Sequence, residues 1–199
     1  ENKLLDKRYK NDDIFRIGVA VSNSPTGPFV AQPKSINGSF SIDPAVFRDD
    51  DNSYYMYFGG LWGGQLQRWR SGHFNTDNPE SPTAFMPDND EPALLPFVAK
   101  MNDTLLEFSE EPKEVQILDE FGNLLLAGDN DRRFFEAAWL HKRQEKYYFS
   151  YSTGDTHFIC YAVGDNPYGP YTYKGKILNP VVGWTSHHSI CSIEGKDYL

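Results

Sequence analysis

A hairpin pattern that occurs three times limits the number of folds that this chain can adopt. Each copy begins with a titratable residue, continues into an apolar strand and reaches an aromatic strand eleven residues on. The copies run from Asp43 to Tyr54, from Glu136 to Tyr147 and from His187 to Tyr198. A second stretch also recurs, as VAVSNSPTGPF over residues 19–29 and YAVGDNPYGPY over residues 161–171. Repetition of small sheet units is typical of architectures such as the β-propeller.

The composition agrees with a fold built from short strands. The 199 residues include 13 Pro and 16 Gly, and aromatic residues make up 15% of the chain. No segment keeps a 3.6-residue apolar period for more than two turns, whereas strand-like runs are frequent, among them residues 15–21 and 124–126. We therefore predict an all-β protein with a core of ordinary size.

The charge and the cysteine content argue against several binding partners and against a fold held together by disulfide bonds. The formal net charge is −9, and lysine and arginine cluster no further than pairs, which argues against nucleic acid and anionic membrane as partners. No apolar run approaches the roughly 20 residues that span a bilayer. Cys160 and Cys191 lie in apolar runs, so two buried free thiols are favoured over a disulfide.

The repeat also predicts where polar side chains meet. In a propeller the innermost strand of each blade runs along a central channel, so equivalent strand starts converge at its mouth. Asp43, Glu136 and His187 occupy equivalent positions and are expected to share one space. The alternative is that each is an ordinary turn residue ahead of a strand.

Four motifs together resemble glycoside hydrolase family 43, the five-bladed propeller enzymes that cleave arabinofuranosides and xylosides. They are SIDPAVF with YYMYFGG, FFEAAWLHK with KYYFSYS, STGDTHFICYAVGDNPYGPYTYKG, and TSHHSI. The resemblance implies that residues 1–199 form a single catalytic-type propeller domain that is truncated at both ends. About three to four of its five blades would be present.

The resemblance also implies roles in an inverting acid–base mechanism. Glu136 is similar to the general acid, and Asp43 to a carboxylate that raises the pKa of that acid and holds the sugar. His187 resembles the channel histidine that often helps to hold a calcium ion, with His188 a weaker candidate. The family's base is an aspartate of the first blade. None of the aspartates among residues 1–13 begins an apolar hairpin, so we expect the base to be missing and this chain alone to be nearly inactive.

The expected partner is a neutral carbohydrate, which aromatic platforms and a few hydrogen bonds would bind without an organic cofactor. The candidate binding residues are Trp62, Trp184, Thr156 and His157, although a turn motif explains Thr156 and His157 equally well. A non-catalytic carbohydrate-binding propeller stays open, as does a propeller enzyme that acts on fructans or by phosphorolysis. For the full-length protein we expect a bacterial periplasmic or secreted location, with the cytoplasm as the alternative.

Overall fold

The structure is a computed structural model that describes residues 13–77, 81, 83–181 and 186–199. Within these ranges the longer regular elements are all β-strands. In chain order they are β1 (Ala20–Val21), β2 (Val30–Ala31), β3 (Ala45–Arg48), β4 (Tyr54–Phe58), β5 (Phe97–Lys100), β6 (Lys113–Glu114), β7 (Ile117–Leu118), β8 (Glu136–Arg143), β9 (Lys146–Ser152), β10 (Ile159–Gly164), β11 (Tyr171–Leu178), β12 (Cys191–Ile193) and β13 (Lys196–Tyr198). Short 3-10 turns cover Trp62–Gly64, Leu66–Trp69 and Gly154–Thr156.

The strands form four separate sheets that follow one another along the chain. A four-stranded sheet has the order β3-β4-β5-β6, and a five-stranded sheet has the order β7-β11-β10-β9-β8. The hairpin β1-β2 precedes them and the hairpin β12-β13 follows. Two full blades flanked by two partial ones are the incomplete propeller that the sequence predicts. No helix in the described part of the chain is both long and apolar enough to cross a bilayer.

Aromatic side chains fill the interface between the two full blades. The rings of Tyr57 on β4 and Phe149 on β9 lie 5.7 Å apart, and both side chains are fully buried. The hydroxyl groups of Tyr57 and Tyr171 both donate to the carbonyl of Pro167, at 2.6 and 2.8 Å. A buried phenol needs such a partner, so these bonds make a tyrosine-rich core possible.

An ionic cluster joins the tips of the same two blades. Lys142 of β8 donates to Asp49 at 3.1 Å and to Asp50 at 2.8 Å in the turn between β3 and β4. The Tyr147 hydroxyl donates to Asp49 at 2.6 Å. We call Asp49, Lys142 and Tyr147 the tip clamp, because they connect the hairpin ends that lie away from the strand starts.

The hairpin predictions are confirmed, whereas three finer ones are wrong. β3-β4, β8-β9 and β12-β13 pair as antiparallel hairpins. Within residues 15–21, however, only Ala20 and Val21 pair in a ladder, and the hydroxyl of Ser39 bonds the amide of Ile17 instead. Residues 124–126 make only isolated bridges, from Leu124 to Leu118 and from Leu126 to Pro92. Both cysteines are free, but only Cys160 is buried. Cys191 lies on β12, whose three residues are all exposed because the described part of the chain pairs this strand with β13 alone.

Candidate active site

Unusual backbone geometry marks the starts of the two acidic strands. Asp43 has φ 57° and Ala137, directly after Glu136, has φ 59°. The left-handed region costs an alanine about 1 kcal/mol or more, so the fold must stabilise Ala137 there. It does so partly through the Ala137 amide, which donates to Asp43 Oδ2 at 3.1 Å. A bulge in β8 between Glu136 and Trp139 accompanies this conformation.

Asp43, Glu136 and His187 converge at one point, although each comes from a different hairpin. His187 Nε2 lies 3.5 Å from Asp43 Oδ2 and 3.5 Å from Glu136 Oε1. One atom from each of the three residues falls within 4.8 Å of the other two. The Glu136 side chain is 10% exposed, that of Asp43 19% and that of His187 54%. The two carboxyl groups are therefore more deeply buried than the His187 imidazole, which lies closer to the solvent.

The surroundings of Asp43 favour its protonated form. Burial raises the pKa of Asp43, and the nearby His187 and the Ala137 amide offset only part of that effect. The arginines that precede Glu136 are directed elsewhere. Arg132 pairs with Asp129 and Glu120, while Arg133 is buried and bonds to the carbonyl of Ala127 and the side chain of Asn130.

His188 makes its contact away from the carboxyl cluster. Its Nε2 lies 2.6 Å from the Ser150 hydroxyl on β9. Burial, together with the neighbouring His187 and His141, lowers the pKa of His188 to about 4. A neutral, hydrogen-bonded imidazole at that position packs against the sheet, which leaves His187 as the histidine of the site.

Known proteins match this chain closely over nearly all of its length. It is 58% identical over 188 residues to a xylosidase/arabinosidase of Bacteroides ovatus, and 58% identical over 193 residues to xylosidase/arabinosidase 43A of Humicola insolens. Each alignment covers 94% of this chain, which spans about 56% and 58% of the lengths of those relatives. No model of a known protein family matches the chain.

Solved structures agree in fold. CoXyl43, a GH43 β-xylosidase/α-arabinofuranosidase from a compost microbial metagenome, was solved with xylotriose in a calcium-free form; it is 60% identical with a TM-score of 0.88. The GH43_1 enzyme of Xanthomonas citri is 52% identical with a TM-score of 0.88. The two matches cover 94% of this chain and 56% and 55% of those proteins. The sequence and the fold of this chain are those of glycoside hydrolase family 43.

Three of the other candidate residues of this family 43 chain fall within the described residues. The Trp62 ring is partly buried and meets the Phe135 ring edge-on at 5.1 Å. The Thr156 hydroxyl lies 2.6 Å from that of Thr153 and donates to the carbonyl of Asn130 at 2.7 Å, and the His157 amide bonds back to Gly154. The binding roles of these three stay predictions, and Trp184 lies outside the described residues.

Several parts of the family 43 site are not visible in the sequence. A cavity of about 360 Å³, lined by residues 15–18 and 41–44, opens beside Asp43. The Ala137 amide supports Asp43, and the Ser150 hydroxyl holds His188, the residue next to His187. Neither alanine nor serine carries a signal for such a role. Only the glutamate before Ala137 could have drawn attention to the bulge.

The donor atoms of the site fit a hard cation. Calcium is held by oxygen ligands at about 2.3–2.6 Å, so one ion can bridge carboxylate oxygens that are within 4.8 Å of each other. The cluster offers two carboxylates and one imidazole nitrogen. An imidazole is a less suitable calcium ligand than an oxygen, which favours contact between His187 and the ion through water.

Proposed function

We propose that the whole protein removes terminal xylosyl or arabinofuranosyl residues from plant polysaccharides or oligosaccharides. The observation that carries the proposal is the cluster of Asp43, Glu136 and His187, with donor atoms within 4.8 Å of one another. Support also comes from the xylosidase/arabinosidase relatives at 58% identity. A periplasmic or secreted location, where polymeric substrate is present, is part of the same proposal.

The spacing of the two carboxyl groups suggests how their roles divide. An inverting glycosidase separates its acid from its base by about 6.5–9.5 Å, so that a water molecule fits between base and sugar. Asp43 and Glu136 are closer than that, so they suit an acid and an auxiliary carboxylate. We assign Glu136 as the general acid that protonates the leaving oxygen, and Asp43 as its modulator.

Burial raises the pKa of Asp43, so this carboxyl group can hold a proton beside Glu136. Asp43 would therefore help to keep a proton available for the leaving group, while its second oxygen is free to accept a sugar hydroxyl. Trp62, beside Phe135, would offer an aromatic surface to the uncharged ring.

The base that activates water is proposed to lie outside residues 1–199. Asp6 and Asp12 fall outside the described residues. The carbonyl of Asp13 accepts a bond from Gln65, 2.8 Å away, and the residue is exposed. The relatives extend beyond the region that this chain matches. The single domain proposed for this chain would act together with an equivalent region of the whole protein.

We also propose that His187 holds a calcium ion at the site, directly or through water. When bound, the ion would supply a positive charge on the His187 side of the site. The short distances between the Asp43 and Glu136 oxygens and His187 Nε2 support this assignment. No organic cofactor is required for protonation by Glu136 and attack by water.

Glu136→Gln tests the assignment of the acid in the whole protein. We expect turnover of xylobiose, a substrate with a poor leaving group, to fall by about 10²–10⁴-fold. Hydrolysis of p-nitrophenyl xyloside should fall much less, because nitrophenolate leaves without a proton. Glu145→Gln is the control, since the Glu145 side chain is 90% exposed at the tip of its hairpin.

Two results would contradict this scheme. Unchanged xylobiose turnover by Glu136→Gln would remove Glu136 from the mechanism. A whole wild-type protein that binds xylooligosaccharides but cleaves neither xylosides nor arabinofuranosides would be a binding propeller instead.

A further inference from the structure

One loop connects the backbones that carry the two carboxylates. The amide of Gly59 donates to the carbonyl of Ile42 at 2.9 Å, and the amide of Leu61 donates to the carbonyl of Phe135 at 3.0 Å. Ile42 and Phe135 are the residues immediately before Asp43 and Glu136. We call residues 59–66 the strap, because they bind both strand starts at once.

Ser41 fastens the strap to the Asp43 side. Its hydroxyl accepts a bond from the Gly60 amide at 2.9 Å and donates to the Gly64 carbonyl at 2.6 Å. The residue is 2% exposed, so water does not compete for these bonds. The Leu66 amide closes the strap on itself by donating to the Gly60 carbonyl at 3.0 Å.

Two glycines of the strap lie directly on Ile42. A Cβ atom at Gly60 would come within 2.5 Å of the Ile42 side chain and within 3.5 Å of Glu136 Cβ. A Cβ atom at Gly64 would come within 2.8 Å of the Ile42 side chain. Gly63, in the same loop, has nothing within 4 Å of such an atom. Gly60 and Gly64 therefore need the absence of a side chain for the strap to pack on Ile42, whereas Gly63 does not.

We propose that the strap sets the distance between the Asp43 and Glu136 carboxyl groups, with Ser41, Gly60 and Gly64 as positioning residues. The inference rests on the proposed function, because it assigns the spacing of the two proposed catalytic carboxyl groups to the loop that carries Trp62. A shift of the strap moves Ile42, and Asp43 is the next residue. Misplacement of a catalytic group by about 1 Å lowers the rate by as much as 10²-fold.

The test compares Gly64→Ala with Gly63→Ala in the whole protein, with xylobiose as the substrate, because its poor leaving group depends on protonation by Glu136. We expect Gly64→Ala to lower kcat about 10–100-fold with a smaller change in KM, and Gly63→Ala to resemble wild type. Ile42→Ala in the Gly64→Ala background removes both side-chain atoms, Cγ1 and Cδ1, that lie 2.8 Å from the new Cβ atom, and it should restore a large part of kcat. Ser41→Ala, which introduces no clash, should lower kcat in the same direction.

The outcomes separate the two ideas. A wild-type protein without glycosidase activity would refute the proposed function. An active wild type with equal kcat for Gly64→Ala and Gly63→Ala would refute the role of the strap. So would a double variant that regains thermal stability but not kcat. If Gly64→Ala fails to fold, Ser41→Ala decides the question, and wild-type kcat in that variant overturns the proposal.

Discussion

A single glycine holds the residue before the proposed acid in place. Gly154 has φ +74°, and a Cβ atom there would lie 2.2 Å from the ring of Phe135. Phe135 is itself 2% exposed, so its ring has no room to move aside. The Phe135 backbone leads directly into Glu136. A side chain at position 154 would therefore displace the residue at which β8 begins.

Gly154→Ala should destabilise the fold more than backbone strain alone explains. Gly122 provides the control, because its φ is +86° and a Cβ atom there meets nothing within 4 Å. We expect Gly122→Ala to cost about 1–2 kcal/mol from the left-handed conformation and Gly154→Ala about 1–3 kcal/mol more from overpacking. Urea unfolding of both variants measures the difference. Equal losses would show that Phe135 yields without cost.

The repeated hairpins are alike in spacing but differ in register. The turn between β3 and β4 covers residues 49–53, while that between β8 and β9 covers only residues 144–145. In both hairpins, however, the strand start lies eleven residues before the aromatic strand. The pairing of β8 with β9 must therefore shift, and the bulge after Glu136 provides that shift. The sequence repeat predicts that the strand starts coincide. It does not predict the bulge, because alanine at 137 gives no indication of a left-handed conformation.

The tip clamp should contribute to the free energy of unfolding, and Lys142→Met measures it. The Lys142 and Asp49 side chains are only 16% and 10% exposed, so the charged hydrogen bonds between them are worth about 1–3 kcal/mol. Lys146→Met is the matched control. Lys146 pairs with Asp165 at an exposed position, where ion pairs are worth about 0–1 kcal/mol. Equal effects of the two substitutions would contradict a special role for the clamp.

The clamp also predicts a dependence on pH. Burial favours protonation of Asp49, but bonds from Tyr147, the Asp50 amide and Lys142 outweigh burial and lower the pKa of Asp49. A lowered pKa in the folded state stabilises the fold above the unfolded pKa, and this contribution disappears as the pH falls through the folded pKa. The loss caused by Lys142→Met should therefore be full at pH 7 and should shrink as the pH falls below the ordinary pKa of an aspartate, about 3.9.

At the scale of the whole molecule, the sequence predicts the architecture because propeller blades repeat. Equivalent positions in repeated hairpins meet at one channel, which is why Asp43, Glu136 and His187 converge despite their separation. The strap could not be predicted in this way. The strap occurs once in the chain, and it contacts the strand starts of two different blades. The short glycine-rich segment around Trp62 has no counterpart among the repeats.

Calcium should stabilise the whole fold through His187. A ligand that binds only the folded state adds about 2.7 kcal/mol when its concentration is 100 times the Kd. We expect calcium chloride to raise the Tm of the wild-type protein above its value in a chelator, and His187→Ala to reduce that rise. His73→Ala is the control, because His73 is exposed and lies outside the site. The same rise in His187→Ala as in wild type would show that His187 does not hold the ion.

The bond between the Ala137 amide and Asp43 closes a loop of 94 residues. Contacts between such distant positions form slowly, because the entropy of closing a long loop opposes them until the intervening chain is ordered. Each hairpin can pair from its own local sequence, but the carboxyl cluster exists only after two blades have docked. A protein built in this way has no working site while it is partly folded, so an immature chain could not act on sugars before its core is complete.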